Sequence, residues 1–291
     1  TMVSVTRVME KVLFGFAKQW IAGDTLDDSL RSARQTYKKK MNVIINKLGE
    51  YNTSKKIIAE TVNEYQTILL SLKKSKIEGG ISVKPTQVGL LVSKKECIKS
   101  FSAIIKTATL SNSFVWIDME SSDHTDEILE VYHKLFSSYE RLGLALQANL
   151  KRTKNDLVDL LERGAKIRLV KGAYRESAKI SYKSKDQVDE NFLNLTKLLF
   201  KKGNEFGIAT HDCKMIDAAV AFSKKYVRQF EFQMLRGIRD ELKLELVKQK
   251  FSVSEYIPYG TNWLPYSIRR LKERKRNILL LGSSFIQSHR V

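Results

Sequence analysis

The chain has 291 residues, 43% of them hydrophobic, and a formal net charge of +19 at pH 7. This length allows one large α/β barrel or two ordinary domains, and either can bury a sizeable core. The longest apolar runs are too short to cross a bilayer, and no secretory signal is visible. We therefore expect a cytoplasmic protein without a transmembrane span.

The cysteine count and the charge pattern exclude several classes of protein. Only Cys97 and Cys213 occur, with four histidines and no CxxC pair, which argues against a disulfide framework and against a metal site. The lysines are scattered in pairs and triples, as in the run 38–40, and no basic tail or RNA-binding motif stands out. We predict no nucleic-acid partner and a mostly solvated surface, with weak attraction to an anionic membrane face as the second interpretation.

Residues 1–40 are predicted to form a helical preface. Apolar residues recur at helical spacing over residues 5–20, and a break follows at 23–24. A second helix is expected to start at Asp27 or Asp28 and to run through Tyr37.

From residue 41 to 291 short apolar strands alternate with longer amphipathic segments. The predicted strands lie at residues 41–47, 81–84, 114–118, 143–147, 166–170, 207–210, 228–233 and 253–258. The predicted helices include residues 54–74, 125–142, 188–202 and 215–225. Eight strand-helix units predict a (β/α)8 TIM barrel. No GxGxxG motif follows a strand, so a Rossmann dinucleotide site is not supported.

Nearly every predicted strand ends in a polar or ionisable residue. These residues are Glu50, Lys84, Asp118, Glu120, Gln147, Arg168, Lys171, Thr210, His211, Asp212, Glu231, Gln233, Tyr256 and Tyr259. Active sites of such barrels lie at the C-terminal ends of the strands, where buried strands would otherwise favour Val, Ile and Leu. Joint placement at eight strand ends favours one shared pocket.

Each of these positions also has a structural interpretation. Asp118 and Glu120 can cap the helix that follows them. Arg168 can pair with a carboxylate such as Asp118 inside the barrel. His211 can be a core histidine, and Gln147 can bond a neighbouring strand.

A helix containing Pro265 in its first turn follows the last strand. Tyr266, Arg269, Arg270 and Glu273 are spaced i, i+3, i+4 and i+7, so they share one face. Two guanidiniums beside a phenol and a carboxylate suit a small carboxylate ligand. The alternative is an exposed basic helix end, because the charge run continues past Glu273.

Several strings in this order resemble the proline dehydrogenases, which are flavin-dependent enzymes. The most specific are RLVKGAY at 168–174 and FEFQML at 230–235, and the match extends from Leu48 to Arg270. The resemblance implies a distorted (β/α)8 barrel with N-terminal helices and a last helix over the barrel mouth. It also implies FAD held without a covalent bond at the strand ends.

The resemblance implies a role for each matching residue. Asp118 and Arg168 form the central catalytic pair, and Lys84, Arg269 and Arg270 bind the substrate carboxylate. The ring of the substrate is walled by Tyr174, Tyr256 and Tyr266. Glu50 pairs with Arg269 as a gate, and Glu273 orients the guanidiniums. The residues implied to contact FAD are Met119, Gln147, Arg168, Lys171, Gly172, Ala173, Thr210, His211 and Gln233.

The implied reaction is hydride transfer from C5 of L-proline to N5 of FAD, which yields Δ1-pyrroline-5-carboxylate. Electrons then pass to a membrane quinone, which gives the basic surface a role in peripheral contact with the inner face of an anionic membrane. The chain looks monofunctional, because it lacks an aldehyde dehydrogenase half. Two alternatives remain: another FAD-dependent barrel enzyme such as a methylenetetrahydrofolate reductase, and a basic binding protein for nucleic acid or membrane. The first would not need a clamp of one lysine and two arginines on one carboxylate, and the second leaves the ordered polar groups at the strand ends unexplained.

Overall fold

Eight parallel strands close into a barrel in the computed structural model, which describes residues 19–268. Each strand pairs with the next along the chain, and the last pairs with the first. The strands are Asn42–Lys47 (β1), Gly79–Val83 (β2), Phe114–Ile117 (β3), Leu142–Gln147 (β4), Lys166–Val170 (β5), Glu205–Ala209 (β6), Gln229–Leu235 (β7) and Ser252–Tyr259 (β8). The predicted barrel is confirmed, and every predicted strand end lies within two residues of the observed one.

Among residues 19–268, one helix precedes the barrel and seven connect its strands. These helices are Leu26–Lys38 (α1), Lys55–Lys74 (α2), Lys94–Ser111 (α3), Thr125–Leu135 (α4), Thr153–Glu162 (α5), Lys185–Lys202 (α6), Cys213–Lys225 (α7) and Asp240–Lys248 (α8). Short 3₁₀ turns occur at Pro85–Gln87, Ser122–His124 and Phe136–Ser138. Residues 263–268 are also helical, with Pro265 in the first turn. No helix among the described residues is long and apolar enough to cross a membrane.

The two predicted N-terminal helices have different outcomes. The first lies largely outside the described residues. The second is α1, and it begins after Thr25 because a capping box forms there: the Thr25 hydroxyl accepts from the Asp28 N–H and the Asp28 carboxylate accepts from the Thr25 N–H, both at 3.2 Å. Helix α1 is joined to β8 by a hydrogen bond of 2.5 Å, which the Thr36 hydroxyl donates to Glu255 Oε2.

The helix predicted over residues 125–142 is wrong in its second half. Helix α4 ends at Leu135, one 3₁₀ turn follows, and β4 already begins at Leu142. Leu135 and Tyr139 are four residues apart, a spacing that a continuing helix would place on one face. Tyr139 is extended instead, and its hydroxyl donates to the Ser113 carbonyl at 2.6 Å, which holds the chain against the start of β3.

The two faces of the barrel wall differ sharply in polarity. Side chains that face the helices are apolar and fully buried, among them Ile81, Val83, Val115, Ile117, Ile167 and Leu169. Alternate residues face the interior, where Ser82, Asp118, Arg168 and Gln233 bond one another across the barrel. Branched aliphatic side chains usually fill such an interior. Here the outer face supplies the core, and the interior holds a polar network.

Two inward-facing glycines make room for this network. A Cβ atom on Gly143 would lie 2.4 Å from the ring of Trp116, and one on Gly207 would lie 2.6 Å from Gln233 Nε2. Both distances are far below van der Waals contact, so a side chain at either position would require Trp116 or Gln233 to move. The two glycines thus leave space inside the barrel for the indole of Trp116 and the side-chain amide of Gln233.

Candidate active site

The centre of the candidate site is an ion pair between Arg168 and Asp118. Arg168 lies in the middle of β5 and is 3% exposed, whereas Asp118 follows the last residue of β3. Arg168 Nη1 donates to Asp118 Oδ1 at 2.8 Å. It also lies 2.8 Å from the Ser82 hydroxyl, which itself donates to Asp118 Oδ1 at 2.6 Å. Three strands are thereby joined at one carboxylate oxygen.

The second oxygen of Asp118 binds two residues that the sequence placed at strand ends. Lys84 Nζ lies 2.8 Å from Asp118 Oδ2, and the Tyr256 hydroxyl donates to the same oxygen at 3.1 Å. Burial alone would raise the pKa of Asp118. Attraction to Lys84 and Arg168, with the hydrogen bonds from Lys84 and Ser82, outweighs burial and lowers this pKa to about 2. Asp118 is therefore ionised at neutral pH.

The guanidinium of Arg168 is fixed on its edges and on its faces. Its Nε donates to Gln233 Oε1 at 2.5 Å, opposite the bonds to Asp118 and Ser82. Its central carbon lies 4.6 Å from the ring centroid of Trp116 and 5.6 Å from that of Tyr256. The buried Nη2 has no acceptor among the described residues, so Arg168 keeps donor capacity for a ligand.

A cavity of about 200 Å³ opens beside this network. Its lining combines ionisable, aromatic and amide side chains from the ends of β1, β2 and β8 and from the helical residues 263–268. The lining residues are Asn46, Leu48, Gly49, Glu50, Lys84, Tyr256, Asn262, Pro265 and Tyr266. A small concave site with a few converging polar groups is typical of a small-molecule pocket.

The predicted gate is only partly within the described residues. Glu50 lies on the cavity wall, and its Oε2 accepts from the Tyr174 hydroxyl at 3.2 Å. Arg269, Arg270 and Glu273 lie outside the described residues. Tyr266 lines the cavity, so the helical residues 263–268 lie at the barrel mouth.

The residues implied to hold FAD lie around the ends of β3 to β7. Lys171 Nζ contacts Asp189 at 2.5 Å and Asp212 at 2.8 Å, so its charge is compensated within the chain. Gly172 has φ 104°, and a Cβ there would lie 2.1 Å from Asn149 Oδ1. That oxygen is buried with no hydrogen-bond donor among the described residues. An unsatisfied acceptor at Asn149 and an unsatisfied donor at Arg168 are groups that a bound cofactor can pair.

The remaining predicted cofactor contacts are closely tied to the barrel end. Gln147 Nε2 donates to the Glu120 carbonyl at 2.8 Å, and His211 Nε2 accepts from the Leu235 N–H at 2.8 Å. Met119 and Thr210 are buried, whereas Ala173 is exposed. Because Nε2 of His211 accepts a hydrogen bond, a neutral His211 ring carries its proton on Nδ1.

Helix capping by Asp118 or Glu120 is not observed. Asp118 serves the ion network, and Glu120 accepts from the Thr86 backbone N–H at 2.9 Å and from its hydroxyl at 2.5 Å. Sequence analysis did not single out Ser82 or Asn149, because neither residue type is distinctive at a strand end. The alternation of Ser82 with the outward Ile81 and Val83 was the signal that could have found it.

The architecture and the site together define a (β/α)8 barrel enzyme with a small-molecule pocket at the C-terminal ends of its strands. The proline dehydrogenase family matches residues 29–279. Proline dehydrogenase 1 of Bacillus subtilis (strain 168) is 34% identical over 268 residues, covering 90% of this chain and 87% of that protein. The proline dehydrogenase of Deinococcus radiodurans is 29% identical over 283 residues, with coverages of 94% and 91%. The chain belongs to the proline dehydrogenase family.

Solved structures with the same fold are longer proteins. Proline utilization A from Bdellovibrio bacteriovorus, inactivated by N-propargylglycine, has a TM-score of 0.84 and 25% identity, covering 92% of this chain and 33% of that one. Proline utilization A from Corynebacterium freiburgense has a TM-score of 0.78 at 20% identity, which shows the fold alone, with coverages of 90% and 31%. The family match decides between the flavin-barrel families that the strand ends left open.

The pKa of Asp118 predicts a pH-dependent stability. A carboxyl whose pKa falls from 3.8 to about 2 on folding contributes about 2 kcal/mol to the free energy of unfolding, present above about pH 4 and lost as the pH falls through about 2. We expect Asp118→Asn to be less stable than the unmodified protein, by a gap that is constant above about pH 4 and narrows below it. Urea unfolding at successive pH values measures the gap. Asp217 is exposed, so Asp217→Asn should unfold at the same urea concentration as the unmodified protein. A loss of stability in Asp118→Asn that stays the same at every pH would contradict the lowered pKa of Asp118.

Proposed function

We propose that this chain oxidises L-proline to Δ1-pyrroline-5-carboxylate with FAD as its cofactor. The observation that carries the proposal is the buried Asp118, which joins Arg168 on one oxygen to Lys84 on the other at the wall of the cavity. One cation is thus placed toward the barrel interior and one toward the pocket. Membership of the proline dehydrogenase family supports the choice of substrate.

The pocket suits a small amino acid with one carboxylate. Lys84 supplies a cation whose position is set by Asp118. Burial alone would lower the pKa of Lys84, but attraction to Asp118, Tyr174 and Glu120, with the hydrogen bond to Asp118, outweighs burial, so this pKa is raised. Tyr256 and Tyr266 offer aromatic walls for a five-membered ring. Arg269 and Arg270, outside the described residues, are proposed to complete the carboxylate clamp.

The residues around the strand ends fit a flavin. Arg168 Nη2 and Asn149 Oδ1 are an unsatisfied donor and acceptor, and Gly172 permits close approach of the backbone. When bound, FAD supplies the two-electron acceptor that removes hydride from C5, while the ring nitrogen loses its proton and a C=N bond forms. Negative charge would accumulate on the flavin as it is reduced, and Arg168 would offer a permanent positive charge to stabilise it. Asp118 keeps the guanidinium of Arg168 in one plane. Met119, Gln147, Lys171, Ala173, Thr210, His211 and Gln233 are the further proposed contacts.

The cofactor and the substrate can be tested together. We expect the purified protein to show flavin absorbance, to release FAD on denaturation, and to bleach when L-proline is added without oxygen. D-proline is the matched control, because it presents the same groups to the clamp with the opposite arrangement at Cα. Protein that binds no flavin when FAD is supplied, or that bleaches equally with both isomers, would refute the proposal.

A substitution at Lys84 tests the clamp. Lys84→Met removes a charged hydrogen-bond donor, so the KM for L-proline should rise about tenfold to a hundredfold with flavin still bound. Lys47→Met is the control, because Lys47 is the last residue of β1, at the same end of the barrel, but pairs with Glu64 and does not line the cavity. Steady-state kinetics measure both variants. If the unmodified protein, Lys84→Met and Lys47→Met have a similar KM, Lys84 does not bind the substrate carboxylate.

Electrons are proposed to leave through a membrane quinone. The net charge of +19 favours peripheral contact with an anionic membrane face, because exposed cations are drawn to such a surface. Quinone reduction should then be faster with anionic than with neutral vesicles, and the advantage should disappear in about 1 M salt, where charges are screened. Equal rates with both kinds of vesicle would exclude the membrane contact.

A further inference from the structure

The charges inside the barrel reveal a carboxylate that the proposed reaction has not used. Lys166 and Glu205 form an ion pair at 2.5 Å at the N-terminal ends of β5 and β6, so their two charges neutralise each other. Nearer the pocket, Lys84 and Arg168 share the single carboxylate of Asp118. Among the described residues, Glu231 on β7 supplies a second carboxylate that acts on Arg168.

Glu231 is joined to Arg168 by two hydrogen bonds through Gln233, and a third bond holds Glu231 from its other side. The Ser254 hydroxyl donates to Glu231 Oε2, and Gln233 Nε2 donates to Glu231 Oε1, both at 2.5 Å. Gln233 Oε1 then accepts from Arg168 Nε. A primary amide has one donor end and one acceptor end, so this arrangement selects a single orientation for Gln233. Gly207 adds the space that this amide occupies.

A purely structural account of Glu231 is weak. Burial raises the pKa of Glu231 against the opposing effect of its hydrogen bonds, so the charge costs stability where an apolar residue would be cheaper to bury. Its neighbour along the strand, Phe232, faces outward and already packs β7 into the apolar core. The chain of bonds ends at Arg168, the residue whose geometry the proposed reaction requires.

We propose that Glu231 is a positioning residue, which fixes the amide of Gln233 and through it the guanidinium of Arg168, and which also supplies a second negative charge near Arg168, beside that of Asp118. The inference rests on the proposed flavin-dependent function. It adds two separable effects, one of geometry and one of charge. A conservative amide replacement keeps the first and removes the second.

Two variants in the flavin-loaded protein separate these effects. Glu231→Gln can still accept from Gln233 and donate to Ser254, so kcat should stay within about twofold, whereas the flavin midpoint potential should become more positive because a nearby negative charge is lost. Glu231→Met removes the acceptor and frees the Gln233 amide, so kcat should fall about tenfold while the KM for L-proline changes less, because Lys84 is untouched.

Glu205→Gln is the matched control, since it removes the same charge from a barrel strand but touches Lys166 and not the chain to Arg168. The positive shift in potential should be larger for Glu231→Gln than for Glu205→Gln. An equal shift, or none, would overturn the inference, as would Glu231→Met with unchanged kcat. If Glu231→Met fails to fold, the potential of Glu231→Gln decides alone.

The unmodified protein, measured in parallel, distinguishes failure of the inference from failure of the function. An unmodified protein without flavin, or one that L-proline does not bleach, refutes the proposed function, and the role of Glu231 falls with it. An unmodified protein that bleaches, beside Glu231 variants that match it in potential and in kcat, refutes only the role of Glu231.

Discussion

The buried ion pair between Arg168 and Asp118 is the constraint on which the rest of the site depends. Removing two charges from water costs several kcal/mol for each ion, and the cost is recovered only when every remaining donor and acceptor is well placed. Ser82, Gln233 and Tyr256 serve most of this requirement from three other strands, and Arg168 Nη2 is the donor left for a ligand. A network that spans the barrel is therefore a consequence of placing one guanidinium at its centre.

The barrel can hold this network because stability and function occupy opposite faces of the same strands. On β5, Ile167 and Leu169 are fully buried under the helices, while Arg168 between them faces the interior. The outward residues stabilise the fold by burial, at about 25 cal/mol for each Å² of apolar surface. The inward residues are then free to be polar. The same alternation explains why Gly143 and Gly207 are glycines, since interior volume is reserved for Trp116 and Gln233.

Sequence reasoning predicted the strands and most charged members of the site, because alternation and strand ends are local signals. It failed where the cause is a distant contact. The extended conformation of Tyr139 depends on a carbonyl 26 residues away, and the role of Ser82 depends on Arg168, which lies 86 residues further along. The unsatisfied oxygen of Asn149 is visible only once Gly172 lies against it. Hydrophobic periodicity and residue composition do not predict contacts between residues so far apart in the sequence.

The geometry of Asp118 also limits what chemistry it can perform. Its two oxygens accept from Ser82, Arg168, Lys84 and Tyr256, so its lone pairs are occupied, and its pKa is about 2. A carboxylate so stabilised is a poor base at neutral pH, because efficient proton acceptors have a pKa near the operating pH. Its contribution is electrostatic: it holds two cations at set positions, one in the barrel and one at the pocket. Under the proposed function, proline would therefore reach the site with its nitrogen already neutral, or lose that proton to a group other than Asp118.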